Sequence, residues 1–399
     1  MTDAVATANR LADRFAQRAA AFDADAAFPT ADIDDLRDSG LLGLMVPQEF
    51  GGHGAGFLDY CRVAQTLARG APATALLFNM HASVTGSLAG IPEDLARAMG
   101  ATDGFFEHRA RVLEAAAQGS MYGVAITERG AGSRLSKLQT TYRPDRDGYR
   151  IVGHKSVCSG AGHLDAYLVA ARAVDGTDER GQPLVSHFLV PDGEGLDVDD
   201  AWDPHGMRAT ASNGFTLDMH VQADALLGGV EGLALPLAHL MPQWLVASYA
   251  AVYVGVARAV LDEACAYLQR RTVAGQPAGL TRLAAVRARI GRADADTEAA
   301  RLVLEDAARR IDAAPGDPDT NRAIYRAKLL AGDVAVDVAG SVVEACGLGS
   351  LTRGSVLERL LRDARSGPLM PPSSDVAADV LGTAALGLDP HEGTDIHPW

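Results

Sequence analysis

The stretch SMYGVAITERGAGSRL, residues 120–135, marks the point where the character of the sequence changes. Before it, from residue 3 to about 118, apolar residues recur at helical spacing, and Gly119 is placed to end the last helix. After it, short alternating runs are separated by Gly, Asp and Pro turns, which is typical of a β sandwich or a small barrel. Helical spacing returns near residue 232 and continues to about 388.

The order of these segments predicts an α+β protein with three domains. We expect an N-terminal helical domain over residues 1–119, a middle β-barrel or sandwich domain over 120–230, and a C-terminal helical bundle over 231–399. The C-terminal helices are long and carry apolar residues and alanines at i, i+3, i+4 and i+7, which favours packing through small side chains.

Composition and charge exclude several functional classes. The 399 residues are 48% hydrophobic and 22% charged, and the net charge of −15 argues against nucleic-acid and anionic-membrane partners. Four scattered cysteines without a CxxC pair and eleven unclustered histidines predict neither a metal site nor a disulfide framework. No signal peptide and no run of about 18 apolar residues is apparent, so we expect a cytoplasmic protein.

Five phrases along the chain are individually weak but share an order and a spacing. They are AITERGAGSRL (125–135), GYRIVGHKSVCSGAGHLDAYLVAARA (148–173), GMRATASNGFTLDMHVQADALLG (206–228), RRTVAGQ (270–276), and the pair ACGLGSL (345–351) and LERLLRDAR (357–365). Together they resemble the acyl-CoA dehydrogenase superfamily. This resemblance implies that family's fold, in which the C-terminal domain is a four-helix bundle.

The resemblance also implies a bound FAD and a homotetramer or homodimer in which two subunits build each flavin site. By position in the motifs, Thr127 would face the flavin ring and Ser133 would contact the pyrophosphate. Ser159 takes the place of the family's threonine beside flavin N5. All three hydroxyls are also suited to ordinary turn or strand-end hydrogen bonds.

Further contacts with the flavin are implied from the neighbouring subunit. Arg271 would reach the pyrophosphate from there, and Gly347 and Gly349 would allow its close approach. A flavin requires small backbone turns, hydroxyls and a cation near its phosphates, and these residue types supply them.

Several positions depart from the family pattern. Arg129 replaces a proline and Arg134 replaces an aspartate, so these arginines are candidates for an anionic substrate or a CoA or carrier phosphate, or else are solvated surface residues. Val157 replaces the large aromatic residue that lies over the flavin in the family.

The largest departure is the missing catalytic base. In the family's usual reaction a carboxylate removes the Cα proton of an acyl thioester. In RDARSGPLMPPSSD, residues 362–375, the position of this glutamate is Pro371, which with Met370 should lie at the substrate. A second family solution places the glutamate where this chain has Leu245. Neither residue accepts a proton.

Three functions remain open from the sequence. In the first, dehydrogenation continues with a relocated base, and Asp375 and Glu231 are the candidates, although Asp375 also suits a helix N-cap. The electron acceptor would then be an electron-transfer flavoprotein. Because dehydrogenation is the common reaction of the family, we expect it ahead of the other two.

The second function is that of the superfamily's monooxygenases, which use reduced flavin and O₂ and need no such base. Ser159-Gly160 in place of Thr-Asn resembles this branch, and so does His81, unless His81 is an ordinary core histidine. FMN or a diffusible reduced flavin from a flavin reductase would then replace FAD. The third function is that of a non-catalytic partner subunit in a heterotetramer.

Overall fold

The computed structural model describes residues 2–178, 181–271 and 279–388. The N-terminal helices are α1 Thr2–Asp25, α2 Thr30–Asp38, α3 Phe57–Gly70, α4 Pro72–Gly90, α5 Glu93–Ala98 and α6 Asp103–Ala117. The strands are β1 Tyr122–Ala125, β2 Thr141–Asp145, β3 Gly148–Lys155, β4 Ala166–Thr177, β5 Pro183–Pro191, β6 Leu196–Val198 and β7 Phe215–Gln222. The C-terminal helices are α7 Ala234–Leu240, α8 Ala247–Arg270, α9 Ala284–Ala313, α10 Pro318–Cys346, α11 Val356–Ala364 and α12 Ser374–Leu386. The predicted order of helices, sheet and helices is confirmed.

The seven strands form one curled sheet with the order β1-β4-β2-β3-β7-β6, and β5 pairs with β4. Strands β1 and β2 both run parallel to β4, whereas the other pairs are antiparallel. Strand β4 is therefore the centre of the sheet. Its first half is buried because it is covered on both faces, which explains the unbroken apolar run AYLVAA at its start.

The C-terminal region is built around α8, which packs against α9, α10 and α11, while α12 packs against α10. Helix α3 of the N-terminal region also lies against α8 and α9, so the two helical regions share a core. The described segment Pro242–Arg270 is long and apolar enough to cross a membrane, but 89% of its most apolar window is buried inside the protein. This segment is the central core helix of the bundle.

Candidate functional site

A cavity of about 470 Å³ lies where the sheet meets α4, the start of α8 and the segment that follows α11. The sheet side and its adjoining loops contribute Val124, Ile126, Thr127, Ser133, Val157, Ser159, Trp202, Pro204, His205, Gly206, Met207, Thr210 and Ser212. The helical side contributes Leu76, Met80, Leu245, Tyr249, Arg362, Arg365, Ser366, Leu369, Met370 and Pro371. The cavity thus brings together five of the residues that the sequence assigned to a flavin or a substrate: Thr127, Ser133, Ser159, Met370 and Pro371.

The polar part of the cavity is a chain of hydroxyl groups. Ser159 Oγ lies 2.9 Å from Ser212 Oγ, which in turn lies 2.7 Å from Thr210 Oγ1. Thr210 is buried and donates to the Met207 carbonyl oxygen at 2.9 Å, which fixes the direction of the chain. Thr210 and Ser212 lie in the third of the five phrases, residues 206–228, but the sequence alone gave neither residue a role. Their alternating hydroxyls in RATAS were the available signal.

A buried ion pair holds the loop that carries Thr127 and Ser133. Lys155 Nζ lies 2.6 Å from Glu128 Oε1 and also donates to the Ala170 carbonyl oxygen at 2.6 Å. Glu128 accepts two backbone N–H groups, from Gln139 at 2.5 Å and Thr140 at 3.1 Å. Burial alone would raise the pKa of Glu128, but the Lys155 ammonium and these hydrogen bonds lower it below its ordinary value. Glu128 belongs to the first of the five phrases, residues 125–135, and Lys155 belongs to the second, residues 148–173. The two phrases therefore meet in one buried structural unit.

A strained loop supplies the other half of the hydroxyl chain. Met207 and Ala211 have φ angles of 53° and 43°, which L residues rarely adopt. Asp363 Oδ1 accepts the Met207 backbone N–H at 2.6 Å, and a Cβ on Gly206 would lie 2.2 Å from the Arg362 carbonyl oxygen. The end of α11, with its RDAR sequence, is thus pressed against the loop that carries Thr210. Burial raises the pKa of Asp363 to about 6.

Arg362 anchors the segment that crosses the cavity. Its two terminal nitrogens donate to Asp23 at 2.9 and 2.6 Å, and its Nε donates to Glu358 at 2.6 Å. A paired, planar guanidinium of this kind fixes its own orientation. Met370 and Pro371, a few residues later, are consequently held at the cavity wall.

Both positions at which the family carries its base lie in this cavity. Leu245 lines it from the turn immediately before α8, and Pro371 lines it from the segment after α11. Among the described residues that line the cavity there is no aspartate or glutamate. The resemblance to the family assigns its catalytic base to the positions of Pro371 and Leu245, and both of these residues are apolar.

The two relocated-base candidates lie elsewhere. Asp375 is exposed in the first turn of α12, and Ser373, which accepts the Val376 N–H at 3.4 Å, is the N-cap of that helix. Glu231 accepts the hydroxyls of Tyr142 and Tyr149 at 3.0 and 3.2 Å. Neither carboxylate lines the cavity. That one of them replaces the missing base stays a prediction.

His81 is also outside the cavity lining, although its neighbour Met80 is part of it. The His81 ring is 1% exposed, its Nε2 lies 2.7 Å from the Leu42 carbonyl oxygen, and its Nδ1 accepts the Tyr122 N–H at 3.2 Å. Burial lowers the pKa of His81 to about 4. Both ring nitrogens are therefore occupied and the ring is neutral. In this structure His81 links α4 to β1, and the catalytic role expected from the sequence stays a prediction.

Two further predicted contacts lie on the outer surface. Arg129 and Arg134 are exposed and line a separate groove that also contains Lys137 and Arg172. Arg134 donates to the Ala131 carbonyl oxygen at 3.1 Å, within its own turn. These arginines do not reach into the cavity, but their groove begins next to Ser133.

Arg271, Gly347 and Gly349 are brought together at the far end of α8. A Cβ on Gly349 would lie 2.7 Å from Arg271 Nη1, which donates to the Tyr267 hydroxyl. Helix α8 has 24 residues and is therefore about 36 Å long, so this cluster cannot contact the cavity at the other end of α8 in the same subunit. A role in a neighbouring subunit's site stays a prediction. The rest of the phrase RRTVAGQ, from residue 272 onward, lies outside the described residues.

The cavity residues fit a flavin. A flavin ring has flat apolar faces and a polar edge, and the cavity offers apolar side chains such as Met80 and Ile126 opposite the hydroxyl chain of Ser159, Ser212 and Thr210. Thr127 and Ser133 supply further hydroxyls at the turn beside it.

Comparison with known proteins agrees with this geometry. Family models match residues 3–91 as the acyl-CoA dehydrogenase N-terminal domain, 123–219 as the middle domain and 246–386 as the C-terminal domain. The chain belongs to the acyl-CoA dehydrogenase superfamily. The fold and the family expected from the sequence are confirmed, and the protein is a flavin-dependent oxidoreductase.

Its relatives include both reaction types of the superfamily. A Bacillus subtilis protein named acyl-CoA dehydrogenase YdbM is 29% identical over 380 residues, covering 94% of this chain and 95% of that protein. A Pseudomonas putida protein named FMNH2-dependent monooxygenase SfnC is 29% identical over 401 residues, covering 96% and 94%. The FMN-bound structure of TdsC from Paenibacillus sp. A11-2 superposes with a TM-score of 0.83 at 26% identity, covering 96% of this chain and 97% of TdsC.

Proposed function

We propose that this protein is a flavin-dependent monooxygenase that inserts one oxygen atom from O₂ into a largely apolar small molecule. The observation that carries the proposal is the cavity lining, in which no carboxylate occurs among the described residues and both base positions are apolar, Pro371 and Leu245. Two relatives support it by their names: SfnC, an FMNH2-dependent monooxygenase, and TdsC, a dibenzothiophene monooxygenase.

The physical argument concerns the proton that dehydrogenation must remove. The Cα–H of a thioester is weakly acidic, so its removal needs a base within hydrogen-bonding distance. Burial raises the pKa of Tyr249, which therefore stays protonated, and arginines do not accept protons. Among the described residues that line the cavity, the exposed His205 is the remaining side chain with a nitrogen that can accept a proton. The order of preference drawn from the sequence, with dehydrogenation first, is therefore reversed.

The chain's own residues would bind the cofactor and exclude water. Ser159, Ser212 and Thr210 would hydrogen-bond its polar edge, while Met80 and Met370 would keep the reacting region dry. When bound, a reduced flavin supplies the two electrons with which O₂ gives one oxygen atom to the substrate and releases the other as water.

The decisive experiment compares two reactions in the purified full-length protein. Under air, with FMN, NADH and a flavin reductase, the protein should incorporate ¹⁸O from ¹⁸O₂ into a member of a panel of aromatic sulfides and indoles. Without O₂, butyryl-CoA and longer acyl-CoA thioesters should leave the bound flavin oxidised. Bleaching of the flavin by an acyl-CoA would overturn the proposal. The variant His205→Gln would then show whether that histidine is the base.

A gain-of-function variant sharpens this comparison. Pro371→Glu restores a carboxylate at one base position, and Leu245→Glu restores it at the other. At least one of them should allow slow bleaching by an acyl-CoA without O₂, whereas the matched variants Pro371→Gln and Leu245→Gln should not. If a Gln variant bleaches as fast as its Glu partner, the carboxylate is not what the cavity lacks.

The remaining expectations concern partners and location. We propose a homotetramer in the cytoplasm, in which Arg271 completes the flavin site of a neighbouring subunit, with a flavin reductase as the electron source. Arg129 and Arg134 are proposed to bind an anionic part of a ligand in their groove. Turnover by the purified chain alone would rule out a non-catalytic partner subunit.

A further inference from the structure

A second cavity, of about 90 Å³, lies between the end of α4, helices α5 and α7, and strand β5. Its lining is apolar except for His187, Ser87 and the indole of Trp244, and we name it the His187 chamber. A single water needs about 10–15 Å³ on the same measure, so the chamber has room for a group of several heavy atoms. A mostly apolar hollow with very few polar groups is the usual form of a small-molecule site.

One polar atom of a residue that lines this chamber has no partner among the described residues. His187 Nε2 is buried and has no hydrogen bond to any described residue. The Ser87 hydroxyl, in contrast, already donates to the Ser83 carbonyl oxygen. A buried nitrogen without a partner destabilises the protein, so a ligand that bonds to it would recover part of that free energy.

The charge state of His187 limits what can bind. Burial, together with the nearby Lys155 ammonium, lowers the pKa of His187 to about 4, so the ring is neutral at pH 7. A neutral imidazole can either donate or accept one hydrogen bond. No acidic or permanently cationic side chain lines the chamber in the described part of the chain. An ionised ligand group would therefore lose its hydration without gaining a counter-charge.

The chamber adjoins the flavin cavity. Leu245 lines both hollows and forms their common wall, and Trp244 beside it also lines the chamber. The side chain of Leu245 is partly exposed, so it has room to change rotamer. A molecule that reaches past Leu245 would place one end in each hollow.

We propose that the His187 chamber binds the distal end of the substrate, an uncharged apolar group that makes one hydrogen bond to His187 Nε2. Calling this ligand the substrate rests on the proposed oxygenation. The binding of such a group to the chamber does not depend on turnover. The substrate class is thus an elongated apolar molecule with one hydroxyl, carbonyl or N–H group away from the reacting atom.

The test uses phenol and toluene, which have almost the same shape and differ in one hydroxyl. Their dissociation constants would be measured by ligand-observed NMR on the full-length protein with FMN bound and no reductant present. In His187→Leu, the ratio Kd(phenol)/Kd(toluene) should rise about tenfold, because one hydrogen bond is lost and the apolar contacts remain. In His187→Asn, which keeps a hydrogen-bonding group, the ratio should stay within about threefold of the wild-type value.

Two further variants locate the probes. Ala234→Leu fills the chamber and should weaken both probes at least tenfold, and Met99→Phe serves the same purpose if the first variant does not fold. Leu245→Ala, in the common wall, should not weaken either probe.

An unchanged ratio in His187→Leu, probe binding that survives the filling variants, or no binding of either probe at millimolar concentration would each overturn the proposal. None of these outcomes depends on whether the protein oxygenates anything.

Discussion

The two walls of the flavin cavity differ in how much of the superfamily's chemistry they keep. The sheet wall has hydroxyls at the three positions expected from the sequence, Thr127, Ser133 and Ser159, and two more at Thr210 and Ser212. The helical wall has lost the catalytic carboxylate and is apolar where it was expected, with Leu76, Met80, Leu245, Met370 and Pro371. Binding of the cofactor and choice of reaction therefore lie on different elements, so one can change while the other is kept.

The two walls are also held in place by different forces. The sheet wall depends on buried charge and hydrogen bonds, above all on the Lys155–Glu128 pair and on Asp363 beneath the Met207 loop. The surface of the helical wall is mainly apolar packing, which tolerates substitutions of similar volume, and Arg362, paired with Asp23 and Glu358, anchors the segment after α11. Substitutions of the buried polar residues that support the sheet wall should consequently change stability and FMN affinity more than substitutions of the hydroxyl residues that face the cavity.

The largest effect is expected from Glu128→Gln. It leaves the Lys155 ammonium buried without its counter-charge, and breaking a buried pair in this way costs about 3–5 kcal/mol of unfolding free energy. Urea denaturation measures this change. The control is Asp218→Asn at the exposed Arg150–Asp218 pair, which should cost less than about 1 kcal/mol. Equal losses of unfolding free energy in the two variants would mean that burial does not make the Lys155–Glu128 pair more important for stability than an exposed pair.

A smaller loss is expected from Asp363→Ala, which removes the acceptor for the Met207 N–H. A hydrogen bond to a charged group contributes about 1.5–3 kcal/mol, and FMN affinity should fall about tenfold because the loop that carries Thr210 and Ser212 loosens. Fluorescence titration of FMN measures this. Asp363→Asn keeps an acceptor oxygen and should restore most of the affinity, whereas the exposed control Asp203→Ala should bind FMN normally. If Asp363→Asn binds FMN as weakly as Asp363→Ala, loss of the hydrogen bond to Met207 does not explain the loss of affinity.

The pH dependence of stability gives an effect of about 1 kcal/mol. The folded pKa of Asp363 is raised to about 6 by burial, so the folded state binds the proton more tightly than the unfolded state. Its contribution is present at low pH and is lost as pH rises through 6, by about 1 kcal/mol between pH 5 and 7. Asp32, whose pKa burial also raises to about 6, acts in the same direction. Urea midpoints at these two pH values should therefore move closer together in Asp363→Asn, and an unchanged gap would contradict this assignment.

The smallest effects are expected at the surface of the sheet wall. Ser159→Ala or Ser212→Ala each removes one neutral hydrogen bond, so the Kd for FMN should rise about two- to fivefold. Because the two hydroxyls bond each other, the double variant should lose less than the product of the single losses. Thr216→Ala on the exposed face of β7 is the matched control, with no expected change. Full additivity would show that the hydroxyl chain does not act as a unit.

Local patterns were sufficient to predict the order of helices, sheet and helices, as well as the phrases that carry Thr127, Ser133 and Ser159. Each of these depends on residues close together in the chain, through hydrophobic period or turn chemistry. His81 and Asp375, both proposed as catalytic, lie outside the cavity lining, and their roles stay predictions. Whether a histidine or carboxylate faces a cavity depends on its neighbours across the fold, and here Leu42, Tyr122 and the Ser373 cap decide it.

By itself, the sequence determined that this is a flavoprotein of the acyl-CoA dehydrogenase superfamily and that both familiar base positions are apolar, because motif order and residue identity are one-dimensional facts. The tertiary structure alone decided that no described aspartate or glutamate lines the flavin cavity. It also joined Thr210 and Ser212 to Ser159, and put an unpartnered histidine behind Leu245. These are long-range contacts between segments far apart in the chain, and packing rather than local pattern determines them.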